Sequence, residues 1–509
     1  MSPLAQKNIL VLGLGASGLA MARWCAREGA NVVVADTRGA PPQLQALQAQ
    51  VPSASFVHAA LDEALLAQSA FDLILKSPGL APASVAALTT AATAAGIPCG
   101  GELSLFSQSL ADLKAAEGYA PEVIGITGTN GKTTVTSLTG LLVQHAGKSV
   151  AVAGNIGPTL LDTLTEKLNA REGSDGVDGG DGGVPLPQVW VLELSSFQLD
   201  GCSTFEPTVA TILNVTQDHL DWHGTLADYA AAKSRIFGSG LMLLNRNDPL
   251  VMAALPPLVK GRQLRSYITF GADEPTRPGD YGIQTANGMT WLVRAIEADE
   301  TVKRRKDEEI VLHIQRFMPL DALRIRGRHN ATNALAALAL ATAAGCPLAP
   351  MLHGLREYRG EPHRVESVAV LNEVEYFDDS KGTNVGATVA ALDGLGVERK
   401  LVLIVGGDGK GQDFSPLAEP VSRYARAVIL IGRDAGLLRA AIEESGVDLV
   451  DAGSMESAVA AAQAHAQAGD AVLMSPACAS FDMFDNYEHR ARVFCEAVHA
   501  LAHDQGVVL

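Results

Sequence analysis

Short apolar runs alternate with helix-like stretches along most of this chain, and a glycine-rich turn commonly separates the two. The runs NILVL, VIGI, VWVLEL and LVLIV are continuously apolar, which is typical of strands buried on both faces of a parallel sheet. The stretches that follow have apolar residues at helical spacing, and several end near a glycine. Repeated strand–turn–helix units predict an α/β fold.

The first such unit occupies residues 8–36 and has the pattern of a nucleotide-binding βαβ unit. Its turn has glycines at positions 13, 15 and 18, and its second strand ends at Asp36. This spacing is the dinucleotide fingerprint, which favours NAD as ligand. A turn that only packs a helix on a strand is the alternative. A later strand ends in the turn Ser77-Pro78-Gly79, where open α/β sheets bind ligands.

The stretch GITGTNGKTT, residues 125–134, predicts a phosphate-binding loop. Backbone N–H groups of such a turn and the positive end of the following helix dipole attract an anion. Lys132 adds a charge for the phosphates, and the Thr133 hydroxyl can ligate Mg²⁺. The general P-loop has a glycine where this chain has Ile126, so the loop is a variant. We interpret it as a nucleotide site; a turn that only caps a helix is the alternative.

Polar residues after the next strands extend this site. Glu193 lies near the carboxyl end of a predicted strand, where a carboxylate can hold nucleotide-bound Mg²⁺ or, alternatively, cap a helix. His219 and His223 have the spacing of zinc ligands, but Leu220 breaks the HExxH pattern. We therefore expect His219 beside the magnesium site and a structural role for His223. Asn330 and Asn333 open a helix and can reach a base edge, although helix capping is an alternative for Asn330.

Four strand–turn units make up the last part of the chain: EYFDDSKGTN, LVLIVGGDGKGQDF, AVILIG and AVLMSPACASFDMF. Three of their turns are rich in Asp, Lys, Ser and Gly, which predicts a second substrate site. Two other stretches carry no packed element in this interpretation. Residues 169–187 contain six glycines and predict a flexible surface insertion. Residues 273–316 are polar and irregular, with a KRRK run that we assign to a solvated loop or hairpin.

Length and composition limit the function. A chain of 509 residues accommodates roughly three domains. The net charge of −17 argues against a general nucleic-acid surface. Six scattered cysteines without a CxxC pair fit a reducing compartment. No targeting or membrane-spanning segment is recognisable, so we expect a soluble, cytoplasmic protein that is a monomer and binds neither nucleic acid nor membrane.

Together these segments resemble the ATP-dependent Mur ligases. GTNGKTT, NVTQDHLD and GRHN are similar to motifs of the whole family. GLGASG, DTR, SPG, GNIG, LELSSFQL, PHR, DDSKGTN, GGDGKG and SPACASFDMF resemble the group that adds D-glutamate. The resemblance implies three α/β domains: an N-terminal Rossmann-like domain over residues 1–111, a central P-loop ATPase domain over 112–361 and a C-terminal Rossmann-like domain over 362–509. It also implies an acyl-phosphate mechanism in peptidoglycan precursor synthesis.

The resemblance replaces NAD with the UDP group of a sugar substrate, UDP-N-acetylmuramoyl-L-alanine. The residues it assigns to that substrate are Gly15, Ser17, Gly18, Asp36, Thr37, Arg38, Ser77, Gly79 and Asn155. It assigns ATP to residues of the loop and of the two later domains, namely Gly128, Thr129, Asn130, Gly131, Lys132, Thr133, Thr134, Asn330, Asn333, Arg364 and Asp379. It assigns D-glutamate to Thr383, Lys410 and Ser480, with Phe481 and Tyr487 on the pocket wall where the family has Leu and Phe.

The same resemblance implies two Mg²⁺ ions, held by Thr133, Glu193, His219 and a carbamylated Lys233, and catalytic roles for Lys132, His219 and Lys233. Unmodified, Lys233 would repel a metal ion. Two other function classes stay open from the residues alone. A folylpolyglutamate synthetase would share the central loop but lack the N-terminal uridine domain. A non-catalytic nucleotide-binding scaffold is disfavoured because the residues for chemistry are intact.

Overall fold

Three β-sheets with helices packed on them carry the chain, one in each successive part of the sequence. The computed structural model describes residues 2–67, 69–174, 184–298, 311–397 and 399–507. All three main sheets are parallel except for one edge strand of the third. The predicted α/β class with three domains is therefore confirmed.

The first sheet has five parallel strands in the order β3-β2-β1-β4-β5. Its strands are β1 (Asn8–Leu12), β2 (Asn31–Asp36), β3 (Ser55–His58), β4 (Leu73–Lys76) and β5 (Cys99–Gly100). Its helices are α1 (Ala16–Arg27), α2 (Leu44–Gln50), α3 (Pro82–Ala94) and α4 (Glu102–Glu117). From β1 the strand order continues through β2 and β3 on one side and through β4 and β5 on the other side. The loops after β1 and β4 therefore border one crevice.

The second sheet has six parallel strands in the order β11-β10-β9-β6-β8-β7. Its strands are β6 (Glu122–Thr127), β7 (Val150–Gly154), β8 (Val189–Glu193), β9 (Val209–Ile212), β10 (Leu241–Asn245) and β11 (Tyr267–Phe270). The helices along this part are α5 (Lys132–His145), α6 (Leu160–Ser174), α7 (Ser196–Leu199), α8 (Leu220–His223), α9 (Leu226–Ser234) and α10 (Pro249–Met252). Because β6 lies between β8 and β9, the loops after these three strands are neighbours.

A small antiparallel sheet follows, where the sequence had predicted irregular structure. It consists of β12 (Tyr281–Ala286), β13 (Met289–Glu297) and β14 (Leu312–Pro319). The prediction was wrong for these strands because their polar residues alternate with residues that pack on the core, such as Leu292 and Met318. The KRRK run lies outside the described residues. Helices α11 (Arg328–Ala343) and α12 (Leu348–Glu357) then pack on α5.

The predicted flexible insertion is wrong at its start, because α6 continues through residues 169–174. Side-chain contacts hold this end of the helix on the first domain. Arg27 of α1 donates hydrogen bonds to Asn169 and Glu172, and Arg171 forms an ion pair with Glu117 of α4. The glycine-rich residues 175–183 lie outside the described residues. Helix α4 also passes through residue 111, and the domain boundaries at 111 and 361 stay predictions.

The third sheet has six strands in the order β15-β16-β20-β17-β18-β19, and only β15 is antiparallel to its neighbour. Its strands are β15 (Glu366–Leu371), β16 (Val374–Asp378), β17 (Leu401–Gly406), β18 (Ala425–Ile431), β19 (Asp448–Asp451) and β20 (Ala471–Met474). Its helices are α13 (Val385–Leu395), α14 (Ala418–Tyr424), α15 (Ala435–Ile442), α16 (Met455–His465) and α17 (Tyr487–Asp504). The adjacent strands β16, β20 and β17 bring the three predicted polar turns to one edge. None of the helices described is long and apolar enough to cross a bilayer.

Candidate functional site

The phosphate loop connects β6 to α5 and has the strained backbone that only glycine adopts easily. Gly128 and Gly131 have φ values of 157° and 84°. Position 131 also lacks space, since a Cβ there would lie 2.8 Å from the Asn333 side-chain oxygen. The loop therefore needs its glycines for conformation and for the close approach of α11.

Lys132 lies within this loop at the start of α5. Its Nζ donates hydrogen bonds to the carbonyl oxygens of Gly128 at 2.8 Å and Thr129 at 2.7 Å. Burial lowers the pKa of Lys132, and the Glu193 carboxylate, the next influence in size, opposes this. The lysine is thus a local cation beside a carboxylate in a protein of acidic composition.

Arg364 of the third domain reaches the same loop. Its guanidinium donates a hydrogen bond of 2.9 Å to the Thr133 hydroxyl. The neighbouring Thr134 accepts, at its carbonyl oxygen, a hydrogen bond of 3.4 Å from the Tyr358 hydroxyl. The predicted ATP residues of the central and C-terminal domains therefore meet at the start of α5.

Glu193 ends β8 beside the loop, and its environment fits a bound cation. The residue is buried, and its Oε1 accepts a hydrogen bond of 2.8 Å from the Asn155 side chain. Its Oε2 is buried without a hydrogen-bond partner in the structure. A buried carboxylate oxygen without a partner is costly, and such oxygens are the ligands that Mg²⁺ prefers. Asn155, which is predicted to contact the UDP substrate, also orients this carboxylate.

His219 stands at the start of α8 in a left-handed backbone conformation, with φ at 54°. Its ring contacts Phe197, and the two ring centroids are 4.7 Å apart. Burial lowers its pKa, while Asp218 opposes this. The His223 ring also contacts Phe197, and these two ring centroids are 5.7 Å apart. Its Nε2 is 2.9 Å from the Ser196 hydroxyl, and burial lowers its pKa to about 4. These contacts agree with a structural role for His223.

The predicted metal ligands are Thr133 and Glu193 for one ion and His219 and Lys233 for the other. Within the described ranges, two groups of three His, Cys, Asp or Glu ligands lie close enough to share an ion, and neither includes Glu193 or His219. Glu193 and Thr133 lie at the loop, whereas His219 is directed towards Phe197. The two ion sites therefore stay a prediction.

Lys233 is buried in α9, not exposed on a helix surface. Its Nζ donates a hydrogen bond of 2.9 Å to the carbonyl oxygen of Gly128 and lies 4.3 Å from the Tyr229 ring centroid. Burial, with Lys132 as the second cause, places its pKa well below the ordinary lysine value. The amine is thus held on the phosphate loop in a setting that favours its neutral form.

The predicted adenine-side residues lie on the first turns of α11. Asn333 donates a 3.1 Å hydrogen bond to the Asn330 side chain, and Asn330 donates one of 2.8 Å to the carbonyl oxygen of Arg326. Gly327 is the residue that caps this helix, so Asn330 is not its cap. Both asparagines line a cavity of about 110 Å³ that also includes Gly131, Arg364 and Asp379.

Asp379 follows β16 and forms the third-domain side of this cavity. The residue is buried, and its Oδ2 accepts a hydrogen bond of 2.7 Å from the Ser475 hydroxyl. Burial raises the pKa of this carboxyl to about 7. A group that titrates near neutrality inside the predicted nucleotide cavity is a strong candidate for a ligand contact.

A second contact joins the phosphate loop to the third domain. The side-chain amides of Asn130 and Asn384 donate to each other's oxygen at 3.1 Å, and Asn384 also donates to Asp218 at 3.4 Å. Asn384 additionally caps α13 by accepting from the N–H of Ala387. The loop is therefore attached to the third domain at both Asn130 and Thr133.

The predicted D-glutamate residues lie on turns after β16, β17 and β20, but not all are adjacent. Lys410 Nζ is 5.9 Å from the ring centroid of Phe481, which is exposed. Ser480 is buried, and its carbonyl oxygen accepts hydrogen bonds from the first turn after it. Thr383 is in the DDSKGTN turn, and its N–H bonds the carbonyl oxygen of Lys381.

Tyr487 lies at the start of α17 and belongs to a different neighbourhood. The Lys381 Nζ is 3.6 Å from its ring centroid, and the His363 ring is 6.2 Å away. Lys381 also lines the nucleotide cavity, and burial lowers its pKa. We missed Lys381 in the sequence, although it stands in the same DDSKGTN turn as Asp379 and Thr383.

In the first domain, the acidic residue of the fingerprint accepts hydrogen bonds from other residues of the same domain. Asp36 accepts hydrogen bonds from the N–H of Leu14 at 2.7 Å and from the Arg38 guanidinium at 2.8 and 2.7 Å. The Arg38 contact is the main cause that lowers its pKa to about 2. The carboxylate thus joins the glycine turn to the loop that holds Thr37 and Arg38.

The glycine turn itself combines one tight contact with open space. A Cβ at Gly18 would collide with the Gly13 carbonyl oxygen, to which the Ser77 hydroxyl also donates at 2.8 Å. Gly15 and Gly79, by contrast, have no atom within 4 Å of an added Cβ. Ser17, in the first turn of α1, lies close enough to the buried Glu102 carboxylate to oppose the rise in its pKa that burial causes. The open side of the turn is available to a ligand.

A cavity of about 240 Å³ lies between residues of the first domain and the segment of α7 in the central domain. Its lining includes Lys76, Pro78 and Glu102 from one domain and Phe197 and Asp200 from the other. Lys76 Nζ and Asp200 Oδ2 are 3.7 Å apart across it. Pro78 of the Ser77–Gly79 turn and Phe197, whose ring contacts His219, thus lie on the wall of the same cavity.

Comparison with known proteins identifies relatives of each part of the chain. The family model of the MurD-like Mur ligase N-terminal domain matches residues 7–101, that of the Mur ligase middle domain matches 126–341, and that of the Mur ligase glutamate ligase domain matches 363–478. The UDP-N-acetylmuramoylalanine--D-glutamate ligase of Albidiferax ferrireducens is 64% identical over 511 residues, covering 99% of this chain and 98% of the relative.

A second relative of the same name, from a Polaromonas species, is 58% identical over 600 residues and is matched, like this chain, over 100% of its length. Among solved structures, the MurF ligase from Thermotoga maritima in complex with ADP aligns with a TM-score of 0.55 at 16% identity, covering 98% of this chain and 97% of that one. The UDP-N-acetylmuramate-alanine ligase MurC from the same organism aligns with a TM-score of 0.52 at 20% identity, covering 97% of this chain and 100% of that one. These two structures share the fold.

Proposed function

The chain belongs to the Mur ligase family, and we propose that it joins the amine of D-glutamate to the carboxyl group of UDP-N-acetylmuramoyl-L-alanine. It is an ATP-dependent ligase of peptidoglycan precursor synthesis. The assignment of substrates rests on relatives that carry this name and are 64% and 58% identical over nearly the whole chain.

One structural observation supports the proposal for the site: residues of the phosphate loop form hydrogen bonds with residues of the third domain. Thr133 accepts from Arg364, and Asn130 exchanges amide hydrogen bonds with Asn384. A phosphoryl donor held by the loop thus faces the turns proposed to hold the amino acid. This arrangement supports a reaction in which both substrates meet at the start of α5.

In the first step, a carboxylate oxygen of the L-alanine residue attacks the γ-phosphorus of ATP, and ADP leaves. Lys132 and Arg364 stabilise the charge of the transferring phosphoryl group, because both are cations beside the loop. Thr133 and Glu193 would hold Mg²⁺, which neutralises phosphate charge when bound. We assign Asn330, Asn333 and Asp379 to the nucleoside, since they line the cavity beside Gly131.

In the second step, the amine of D-glutamate attacks the acyl phosphate, the new amide bond forms and phosphate leaves. We assign the carboxylates of D-glutamate to Lys410, Thr383 and Ser480, because the turns that carry them adjoin at the edge of the third sheet. Lys381 is a further cation at this edge. Charged donors to a carboxylate give the pocket its preference for an acidic amino acid.

Carbamylation of Lys233 is part of the proposal. A carbamate forms when a neutral amine attacks CO₂ and loses a proton. Burial favours the neutral amine at Lys233, which supports the modification. The product is an anion at the phosphate loop, so it would add an oxygen donor for a second Mg²⁺ beside His219. We further propose that the enzyme acts as a cytoplasmic monomer.

An isotope-transfer experiment tests this reaction course. We would incubate the purified protein with ATP, Mg²⁺, D-glutamate and UDP-N-acetylmuramoyl-L-alanine carrying ¹⁸O in its carboxylate. The proposal predicts one ¹⁸O in each phosphate released, because that oxygen bridges carbon and phosphorus in the acyl phosphate. Phosphate without ¹⁸O would mean that water or another acceptor takes the phosphoryl group, which would contradict the proposal.

A further inference from the structure

A cluster of two histidines and one glutamate lies on the far end of the central domain, away from the phosphate loop. His145 is in the last turn of α5, and His353 and Glu357 are one turn apart on α12. Helix α5 has 14 residues from Lys132 to His145, so the two ends are about 20 Å apart. None of these three residues has a part in the proposed reaction.

The donor atoms of the cluster have the separations of a metal site. Glu357 lies between the imidazoles, with Oε2 at 3.3 Å from Nε2 of His145 and Oε1 at 3.3 Å from Nε2 of His353. One ligand atom from each residue lies within 4.8 Å of the other two. Tetrahedral zinc bonds to nitrogen and oxygen place neighbouring ligand atoms roughly 3.3 Å apart, and each imidazole nitrogen has this distance to one of the two Glu357 oxygens.

The backbone of α12 is adapted to this approach. A Cβ at Gly354 would lie 2.8 Å from Cδ2 and 2.9 Å from Cγ of His145, so the ring packs directly on the glycine. A glycine inside a helix is less favourable than alanine. Here it allows the His145 ring to reach His353, with ring centroids 5.6 Å apart. The space for the ring is therefore built into the neighbouring helix.

We propose that His145, His353 and Glu357 bind a divalent transition-metal ion of the Zn²⁺ class. Two imidazoles and one carboxylate are a common set of three zinc ligands, and a water molecule would complete the tetrahedron. Mg²⁺, which prefers oxygen ligands, would bind here weakly. Because the ligands come from two helices, the ion joins α5 to α12 and stabilises their packing.

Metal titration of the whole protein tests the site. ZnCl₂ is titrated calorimetrically into wild-type protein that is saturated with ADP and Mg²⁺, so that the phosphate loop is occupied. We expect the wild type to bind one Zn²⁺ more than His353→Gln or Glu357→Gln, and Zn²⁺ to raise the Tm of the wild type but not the Tm of these two variants. Both side chains are more than half exposed, so these variants should fold. Co²⁺ should give the strong visible absorption of a tetrahedral site in the wild type and not in these two variants.

His503→Gln is the matched control, because His503 is exposed and lies outside the cluster. It should bind Zn²⁺ and Co²⁺ as the wild type does. Equal zinc stoichiometry and an equal Tm shift in the wild type, His353→Gln and Glu357→Gln would overturn the proposal and leave a hydrogen-bonded surface cluster.

Discussion

At the scale of single residues, burial is the main cause of the shifted pKa values in the site. Lys132 and Lys233 both donate to the carbonyl oxygen of Gly128, and both have lowered pKa values because they are buried. Asp379 is shifted in the opposite sense for the same reason. In each case removal from water disfavours the charged form.

Lys233 gives the first prediction. Lys233→Ala should lower turnover at least a hundredfold while ATP still binds, because an anionic partner of the metal site is lost. Acetate should restore part of the rate, and added amines should not. After equilibration with ¹³CO₂, wild-type protein should show a carbamate carbon resonance that the variant lacks.

Lys114→Ala is the control, since this lysine lies exposed on α4. It should retain both activity and the carbamate signal. Full activity of Lys233→Ala, or rescue by amines, would contradict the carbamate assignment.

Asp379 gives a prediction about pH. Its folded pKa of about 7 lies above the ordinary 3.8, so between these values the folded state holds a proton that the unfolded state releases. Stability therefore falls as pH rises through this range and levels off above about pH 7. Asp379→Asn removes the cost, which is at most about 4 kcal/mol. Its Tm should rise relative to the wild type between about pH 5 and 7.5.

Asp413→Asn provides the comparison, because Asp413 is exposed. Its Tm should follow that of the wild type over the same range. A constant Tm difference between Asp379→Asn and the wild type would show that Asp379 is ionised throughout.

At the scale of elements, the glycines of the turn after β1 are of two kinds. At some positions an added Cβ would collide with neighbouring atoms, and at others it would meet none. Gly18→Ala should destabilise the first domain by roughly 2 kcal/mol or more, because its Cβ meets the Gly13 carbonyl oxygen. Gly15→Ala should keep the Tm within a few degrees, since its φ of −94° suits alanine and no atom is near. It should instead raise the KM for the UDP substrate. Equal Tm losses would contradict this division.

The sequence predicted the helices and strands that have a clear hydrophobic pattern. It failed to predict elements in stretches rich in polar residues or glycine. Continuous apolar runs and glycine turns identified the buried parallel strands. The antiparallel sheet was missed because β13 is half-exposed and carries polar residues between buried ones such as Leu292. The end of α6 was missed because the glycines after residue 172 dominate the composition of that stretch. Its helical state depends on Arg27 and Glu117, which are distant in sequence.

At the scale of the molecule, the contacts between domains are what the sequence could not reveal. Asn130 and Asn384 are 254 residues apart, and Thr133 and Arg364 are 231 apart. The sequence suggested ATP binding for Asn130, Thr133 and Arg364 and no role for Asn384, and no sequence pattern contains the two pairings. The placement of Asn155 on Glu193 was unpredictable for the same reason, since it depends on how β7 lies beside β8.

The Asn130–Asn384 pair gives a prediction at this scale. Asn384→Ser keeps an oxygen that can cap α13 but loses the amide that reaches Asn130. We expect little change in Tm and a tenfold or greater loss of kcat/KM, because the phosphate loop loses a tie to the third domain. Ser454→Ala, which removes the cap of the remote helix α16, should do the reverse. Wild-type kcat/KM in Asn384→Ser would show that the contact is dispensable.

The central claim is that the three domains together make a ligase for D-glutamate. The most direct test is the initial rate of phosphate release by the purified protein with ATP, Mg²⁺ and UDP-N-acetylmuramoyl-L-alanine, measured with D-glutamate, L-glutamate, L-lysine or diaminopimelate. We predict release that depends on D-glutamate, with a product heavier by one glutamyl residue. In Lys410→Ala, the KM for D-glutamate should rise far more than that for ATP. Release that is equal with every amino acid, or absent with D-glutamate, would contradict the account.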